Sequence, residues 1–289
     1  MTYLLYILTS LSVYVLLAAS LNVMVGYVGL VALSQAAFLG IGAYVSTLLM
    51  IDAGLPYWLA AVIAPVIAAL LSLIIAIPSL RLTGDYFILA SLSFQMIVFN
   101  ALQNWVSLTR GPYGISEIPR PQILGRAFND PGSYFIYAAT WVSILLGVLY
   151  WMGRSPFGRV LKSIREDEVA AAALGRDTPR IKVTAFAVSA MFAAMAGVLF
   201  AGINQYIDPT SFTLAESISV LSMLIVGGAG NFRGPVLGCA LVLLLPEALR
   251  LLAVSDSVAA NLRQILNGLA IILILRFRPQ GVAGEFRFE

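Results

Sequence analysis

Few residues of this chain could do chemistry, and most of them sit where chemistry is costly. Gln35, Ser93, Asn100 and Asn204 lie inside or at the ends of long apolar runs. Ser93, Met96, Asn100 and Asn104 follow one another at spacings of three and four, so a helix carries them on one face. Amides and hydroxyls there either bond one helix to the next or line a path for a solute, and the sequence supports both readings. Glu216 and Glu247 are acids within apolar runs, and Glu247, beside Pro246 and near Arg250, reads as a structural pair. The chain has no histidine, so imidazole has no part in acid–base or metal chemistry. Its lone Cys239 lies in an apolar run and reads as a small buried side chain. Lys162-Ser163 follows Val160-Leu161 rather than glycine, so no phosphate-binding loop is present. An enzyme reading has no residues to rest on, and neither a cofactor nor a metal is expected.

The elements that position these residues are membrane helices. Hydrophobic residues make up 60% and charged residues 11% of the 289, against about 25% charged in soluble domains. Mean hydropathy is +0.93. These values predict an all-α integral membrane protein, a polytopic bundle with broken or re-entrant helices. The net charge of +3 is too small to argue for nucleic acid. Apolar runs over Tyr3–Val25, Pro56–Leu80, Gly84–Trp105, Ser133–Met152, Pro179–Tyr206, Gly234–Ala253 and Val258–Leu275 read as crossings. Gly26–Met50 is glycine-rich and reads as broken or re-entrant, and Leu214–Gly228 is short for a span. The total is about eight or nine crossings in one domain covering residues 1–289. With nine, the N-terminus lies outside; with a re-entrant second run, it lies inside. No Lys or Arg precedes Arg81, so the first run lacks the basic flank of a signal peptide and reads as a retained span.

One long polar segment interrupts this pattern. Residues 153–182 hold both lysines, five of the fifteen arginines and four of the fourteen acids. Ser155-Pro156 reads as an N-cap with proline in the first turn. Good helix formers follow from Phe157 to Leu174, with Gly175 placed as a left-handed cap and Asp177-Thr178-Pro179 as a second start. The expectation is one short helix with an apolar face (Val160, Leu161, Ile164, Val169, Leu174). It would be stiffened by Lys162–Glu166 and Arg165–Glu168 pairs worth a few tenths of a kcal/mol each. Placing this segment in the cytoplasm puts twelve basic residues inside and five outside, which is the expected bias. The segment reads as a handle by which a cytoplasmic motor grips a membrane pore; a solvated loop without a partner is the plainer alternative. Residues 106–132, rich in proline and glycine, then form an extracytoplasmic loop.

Small residues recur four apart at Ala32, Ala36 and Gly40, at Ser189, Ala193, Gly197 and Ala201, and at Gly230, Gly234 and Gly238, a pattern that mostly means close helix packing. Two glycine motifs, V-G-Y-V-G at 25–29 and V-G-G-A-G at 226–230, each join two apolar runs. Paired interruptions of this kind can mark an internal repeat around a substrate site.

Longer stretches resemble the permease subunits of branched-chain amino-acid ABC importers, of the M type in an H/M pair. They are G-D-Y-F at 84–87, S-L-T-R-G-P-Y-G-I at 107–115, G-R-V-L-K-S-I-R-E-D-E-V-A-A-A-A-L-G at 158–175, G-G-A-G-N-F-R-G-P-V-L-G at 227–238 and F-R-P-Q-G at 277–281. Arg110 stands where the family pattern leads one to expect glycine, and Gln95-Met96 where it leads one to expect Gly-Glu. The resemblance implies an inner-membrane (prokaryotic plasma-membrane) importer subunit that carries a small-molecule solute. Its partners would be a second, H-type permease, two cytoplasmic ATPases that bind the ATP, and an extracytoplasmic binding protein, all in a lipid bilayer. Arg159, Arg165, Glu166, Asp167, Glu168 and Gly175 would then couple to the ATPases, and Gln35, Ser93, Asn100 and Asn204 are the candidate pathway residues. Related permeases serve urea and short amides, which is the alternative substrate class. An ion-coupled secondary transporter and a structural membrane subunit are the alternative functions.

Overall fold

The computed structural model describes residues 2–79, 84–123, 126–128, 130–250, 268 and 281–283. Backbone groups in lipid have no water to bond, so each apolar run closes its hydrogen bonds within a helix. In order the chain forms α1 (Thr2–Asn22) with a π-helical extension (Val23–Val28), α2 (Gln35–Ile51), α3 (Tyr57–Ser79), α4 (Gly84–Asn104) and the short α5 (Val106–Thr109). Then come α6 (Pro131–Arg154), α7 (Pro156–Glu166), α8 (Glu168–Ala173), α9 (Thr178–Asn204), α10 (Leu214–Gly227) and α11 (Arg233–Arg250). Among the described residues five helices have the length and apolarity to cross a bilayer: Tyr3–Val28, Tyr57–Pro78, Tyr86–Asn104, Pro131–Arg154 and Thr178–Asn204. Gln35–Ile51, Leu214–Gly227 and Arg233–Leu244 are shorter apolar helices. The expected crossing at Val258–Leu275 and the side chains of Glu247 and Arg250 lie outside the described residues.

The middle of the bundle is α9, packed by α1, α2 and α3. Its small-residue stripe meets α2 so closely that a side chain at Gly42 or Gly197 would overlap the backbone of Ala194 or Leu39. Gly234 and Gly238 bring α11 onto α10 in the same way. The small-residue stripes are thus used within the chain. Aromatic rings fill the wider gaps: Phe186 stacks edge-on against Phe38 and Phe87, at 5.5 Å each.

Side-chain and strand contacts sort the helix ends into two groups. At one end, Tyr6 of α1 donates to Asn204 of α9 (3.0 Å) and Tyr134 of α6 donates to the Leu199 carbonyl (2.7 Å). Strand β1 (Ile115–Ser116), within the 106–132 loop, pairs antiparallel with a second strand at Tyr206–Ile207. At the other end lie the polar segment, the π extension and residues 228–231. There Val282 and Ala283 also return, donating to the carbonyls of Val226 and Gly227. The N-terminal end of α1 therefore lies with the 106–132 loop, opposite the handle.

The handle departs from expectation. It is two helices, not one: Asp167 leaves the helical region (φ −156°, ψ 105°) and its carboxylate accepts from Ala170 N, capping α8. An acid three residues before an alanine amide is a capping signal that the flanking helix formers masked. The other caps are as expected. Ser155 accepts from Gly158 N and Asp177 from Arg180 N. Gly175 has φ +79°, with bonds from Gly175 N to Ala172 O and from Arg176 N to Ala171 O closing α8 in a Schellman turn. The five apolar residues do not share a face: Leu161 and Ile164 are buried, whereas Val169 and Leu174 are 79% and 84% exposed. The expected Arg165–Glu168 pair is replaced as well. Glu168 binds Lys182 (2.5 Å) and Thr178 (3.0 Å), while Arg165 binds Glu166 (2.5 Å).

Candidate functional site

The handle and the two glycine motifs form one junction. α1 ends in the π extension, and Gly29 (φ +82°) caps it, its amide bonded to Met24 O. A helix C-terminus carries unpaired carbonyls and partial negative charge. Arg165 of α7 answers both, its Nη1 donating to the Gly26 carbonyl at 2.6 Å. Its side chain is only 10% exposed, and a Cβ at Gly29 would stand 2.8 Å from Arg165 Cγ. Lys162 lies over the Tyr27 ring at 5.5 Å. The second glycine motif closes the junction from the other side. Asn22 accepts from Gly230 N (2.9 Å) and donates to the Asn231 carbonyl (3.1 Å), and a side chain at Gly26 would overlap Gly230. The two motifs are therefore in contact, a relation that spacing alone does not reveal.

The outward surface of the handle is different in kind. Arg159, Glu166, Asp167, Glu168, Gly175 and Arg176 are exposed beside the two exposed apolar residues. A groove of about 530 Å³ runs between α7 and α8, lined by Phe157, Arg159, Ser163, Leu174 and Arg176 among others. Of the six expected coupling residues, five are thus on this surface, and Arg165 points the other way. Glu168 does two jobs, since its carboxylate also holds the buried Lys182 and so fixes α8 to the first turns of α9.

The four candidate pathway residues fall into two pairs. Gln35 is buried and donates to Ser20 Oγ (2.7 Å) and Ser189 Oγ (3.3 Å), tying α2 to α1 and α9. Asn204 joins α9 to Tyr6 at the bundle end. Ser93 and Asn100, in contrast, are exposed, bonding only back to the carbonyls of Leu89 and Met96 on their own helix. With Met96 and Asn104 they make a continuous polar-to-mixed stripe on the open side of α4. Lipid penalises such a stripe, so it belongs against water or protein.

Gln95 carries more of the site than its sequence position suggested. It is fully buried on the opposite side of α4 and accepts from Ala37 N (2.7 Å) and Ser217 Oγ (3.1 Å), while its amide donates to Phe212 O (2.8 Å). Ser217 in turn accepts from Ala36 N (2.9 Å). The first amides of α2 would otherwise be orphaned at membrane depth; α4 and α10 supply their partners. A buried amide one position from a polar stripe was the available signal. Glu216, the acid of α10, lies near the Tyr14 hydroxyl of α1.

Comparison with known proteins now bears on this arrangement. A family model described as the branched-chain amino acid transport system permease component matches residues 3–275. The chain belongs to that family. It is similar to the high-affinity branched-chain amino acid transport system permease protein LivM of Escherichia coli, 36% identical over 96% of this chain and 69% of that protein. The probable LivM of Methanocaldococcus jannaschii is 28% identical over 78% of this chain and 68% of its own length. The high-affinity branched-chain amino acid transport system permease protein LivH of Escherichia coli is 27% identical over 96% of this chain and 93% of that protein. No solved structure matches. Family membership makes this a multi-pass membrane permease and favours the importer reading over an ion-coupled transporter or a structural subunit. The resemblance also explains a backbone oddity. Arg110, where glycine is expected, has φ +61° and so holds a left-handed conformation that glycine adopts without cost.

Proposed function

We propose that the chain is a pore-forming subunit of an ATP-driven importer for branched-chain or related amino acids in a prokaryotic inner membrane. It pairs with a second, H-type permease, and the pathway runs along the open side of α4 past Ser93 and Asn100. Two ATPases bind the ATP and dock on the handle from the cytoplasm; the chain needs no cofactor of its own. A binding protein delivers solute to the loop at 106–132. The chain crosses nine times with its N-terminus outside. Supporting this topology, the N-terminal end of α1 bonds at the end opposite the handle, and Val282 and Ala283 return to the handle end after the Val258–Leu275 run.

The observation that carries the docking reading is the outward face of α7 and α8. Val169 and Leu174 are large apolar residues held in the open on the most charged segment of the chain, beside a groove. A solvated loop gains nothing from exposing them, whereas a docking patch gains apolar area ringed by charge. The test is co-purification. The chain is expressed with its neighbouring-gene products, and subunit stoichiometry is read by native mass. Val169→Asp with Leu174→Asp should release the ATPases and leave the permease pair intact; retention at full stoichiometry would defeat the docking reading.

A further inference from the structure

We propose that Arg165 is the coupling residue through which motion of the handle enters the membrane, acting as a latch on the Gly26 carbonyl rather than as part of the docking face. The inference rests on the reading of the handle as an ATPase-docking element and adds where the force goes next.

Four observations converge. First, the Arg165 guanidinium is divided between the two sides of the handle. Nε and Nη2 hold the exposed Glu166 at 3.1 and 2.5 Å, and Nη1 holds Gly26 O at 2.6 Å. A partner that draws on Glu166 therefore changes how the same planar group meets Gly26. Second, the acceptor belongs to a π-helical segment, Val23–Val28, a departure from the regular helical bonding of α1 of the kind that recurs at functional sites. Third, a charge-assisted bond to an end carbonyl is among the stronger hydrogen bonds available, and it is shielded here from water. Fourth, the junction does not end at α1. Asn22, one residue before the π segment, holds Gly230 and Asn231, so movement of that segment would be felt at the start of α11. Handle, first break and second break thus form one contiguous chain of contacts around the π-helical segment, a physical route for coupling.

The test uses the assembled complex in nanodiscs with loaded and empty binding protein. Arg165→Met, Arg165→Lys, Gly29→Ala and the docking-face control Arg159→Met are compared for ATPase stoichiometry, basal hydrolysis and stimulation by loaded binding protein. The expected result for Arg165→Met is full ATPase occupancy and ordinary basal hydrolysis with stimulation reduced about fivefold or more, the lower end of typical coupling between sites. Arg165→Lys keeps one charged donor and should retain part of the stimulation. Gly29→Ala leaves every hydrogen-bonding group in place but crowds Arg165 Cγ, and should repeat the Arg165→Met result, so the outcome does not hang on one variant assembling. Full stimulation in Arg165→Met or in Gly29→Ala would overturn the latch while leaving docking intact. Loss of the ATPases from Arg165→Met at the level seen in Arg159→Met would make Arg165 a docking residue and also overturn it. Absence of ATPases from the unaltered complex would remove the docking reading and the latch together.

Discussion

Replacing Gln95 with leucine separates a structural polar cluster from a transport surface by magnitude alone. The substitution keeps volume but removes three hydrogen bonds. Ser217 can turn elsewhere, since its hydroxyl still accepts from Ala36 N. Ala37 N–H and Phe212 C=O cannot, and a buried unsatisfied backbone group costs about 1–3 kcal/mol. The expected loss is therefore about 2–6 kcal/mol. Gln35→Leu removes two bonds from an equally buried amide but orphans no backbone group. Ser20 still donates to Leu17 O and Ser189 to Ser20 O. At about 0.6 kcal/mol per side-chain bond in a membrane, its loss is near 1 kcal/mol. At roughly 2–4 °C per kcal/mol, thermal unfolding of the purified permease should fall by about 2–4 °C for Gln35→Leu and about 4–24 °C for Gln95→Leu. Both variants should transport normally per folded complex. Equal shifts, or a Gln95→Leu protein as stable as the parent, would refute the claim that Gln95 completes the start of α2.

Asn100→Leu should do the reverse, lowering transport several-fold with stability unchanged, read as uptake and melting on one preparation; a stability loss without a transport loss would return Asn100 to packing. Glu168→Lys places a cation against Lys182 and should cost about 1–3 kcal/mol, less than a fully buried pair because Glu168 is half in water. Because Glu168 also holds α8 to α9, Glu168→Lys should weaken ATPase docking and Lys182→Glu should restore it, tested by pull-down of the ATPases. A Cβ added at Gly175 meets nothing within 4 Å, so the main cost of Gly175→Leu is the left-handed backbone, about 1–2 kcal/mol, at the end of α8; protease sensitivity at Arg176 should rise. Arg110→Gly relieves a left-handed arginine whose pairing with Asp52, at 3.8 Å and exposed, adds little. It should raise stability by about 0.5–1 kcal/mol, and a loss would show that the ion pair matters more than the backbone.

The apolar runs were legible because lipid leaves a hydrophobic run of sufficient length one solution, a closed helix. Caps at Ser155, Gly175 and Asp177 were legible for a related reason: each is a local contest between a side chain and the first or last turn. What was not legible is non-local. The Arg165–Gly26 bond spans 139 positions, and in sequence Arg165 is one of a row of charges with nothing to mark it as facing inward. The Gly26 and Gly230 motifs could be paired as a pattern, but not seen as touching. Asp167 was read through because good helix formers stand on both sides, and propensity averages over a break that one cap decides. Gln35 and Asn100 looked alike because a helix face is visible in sequence, while what covers that face is not.

The proposed role of this chain is to be the membrane half of an ATP-driven importer. The direct measurement is uptake of labelled leucine into proteoliposomes that contain this chain, its partner permease, the ATPases and loaded binding protein, with ATP supplied on the ATPase side. Uptake should require ATP, be lost when this chain is omitted, and be lost again when Val169 and Leu174 are both made aspartate. Uptake that proceeds without ATP, or that persists without this chain, would contradict that role.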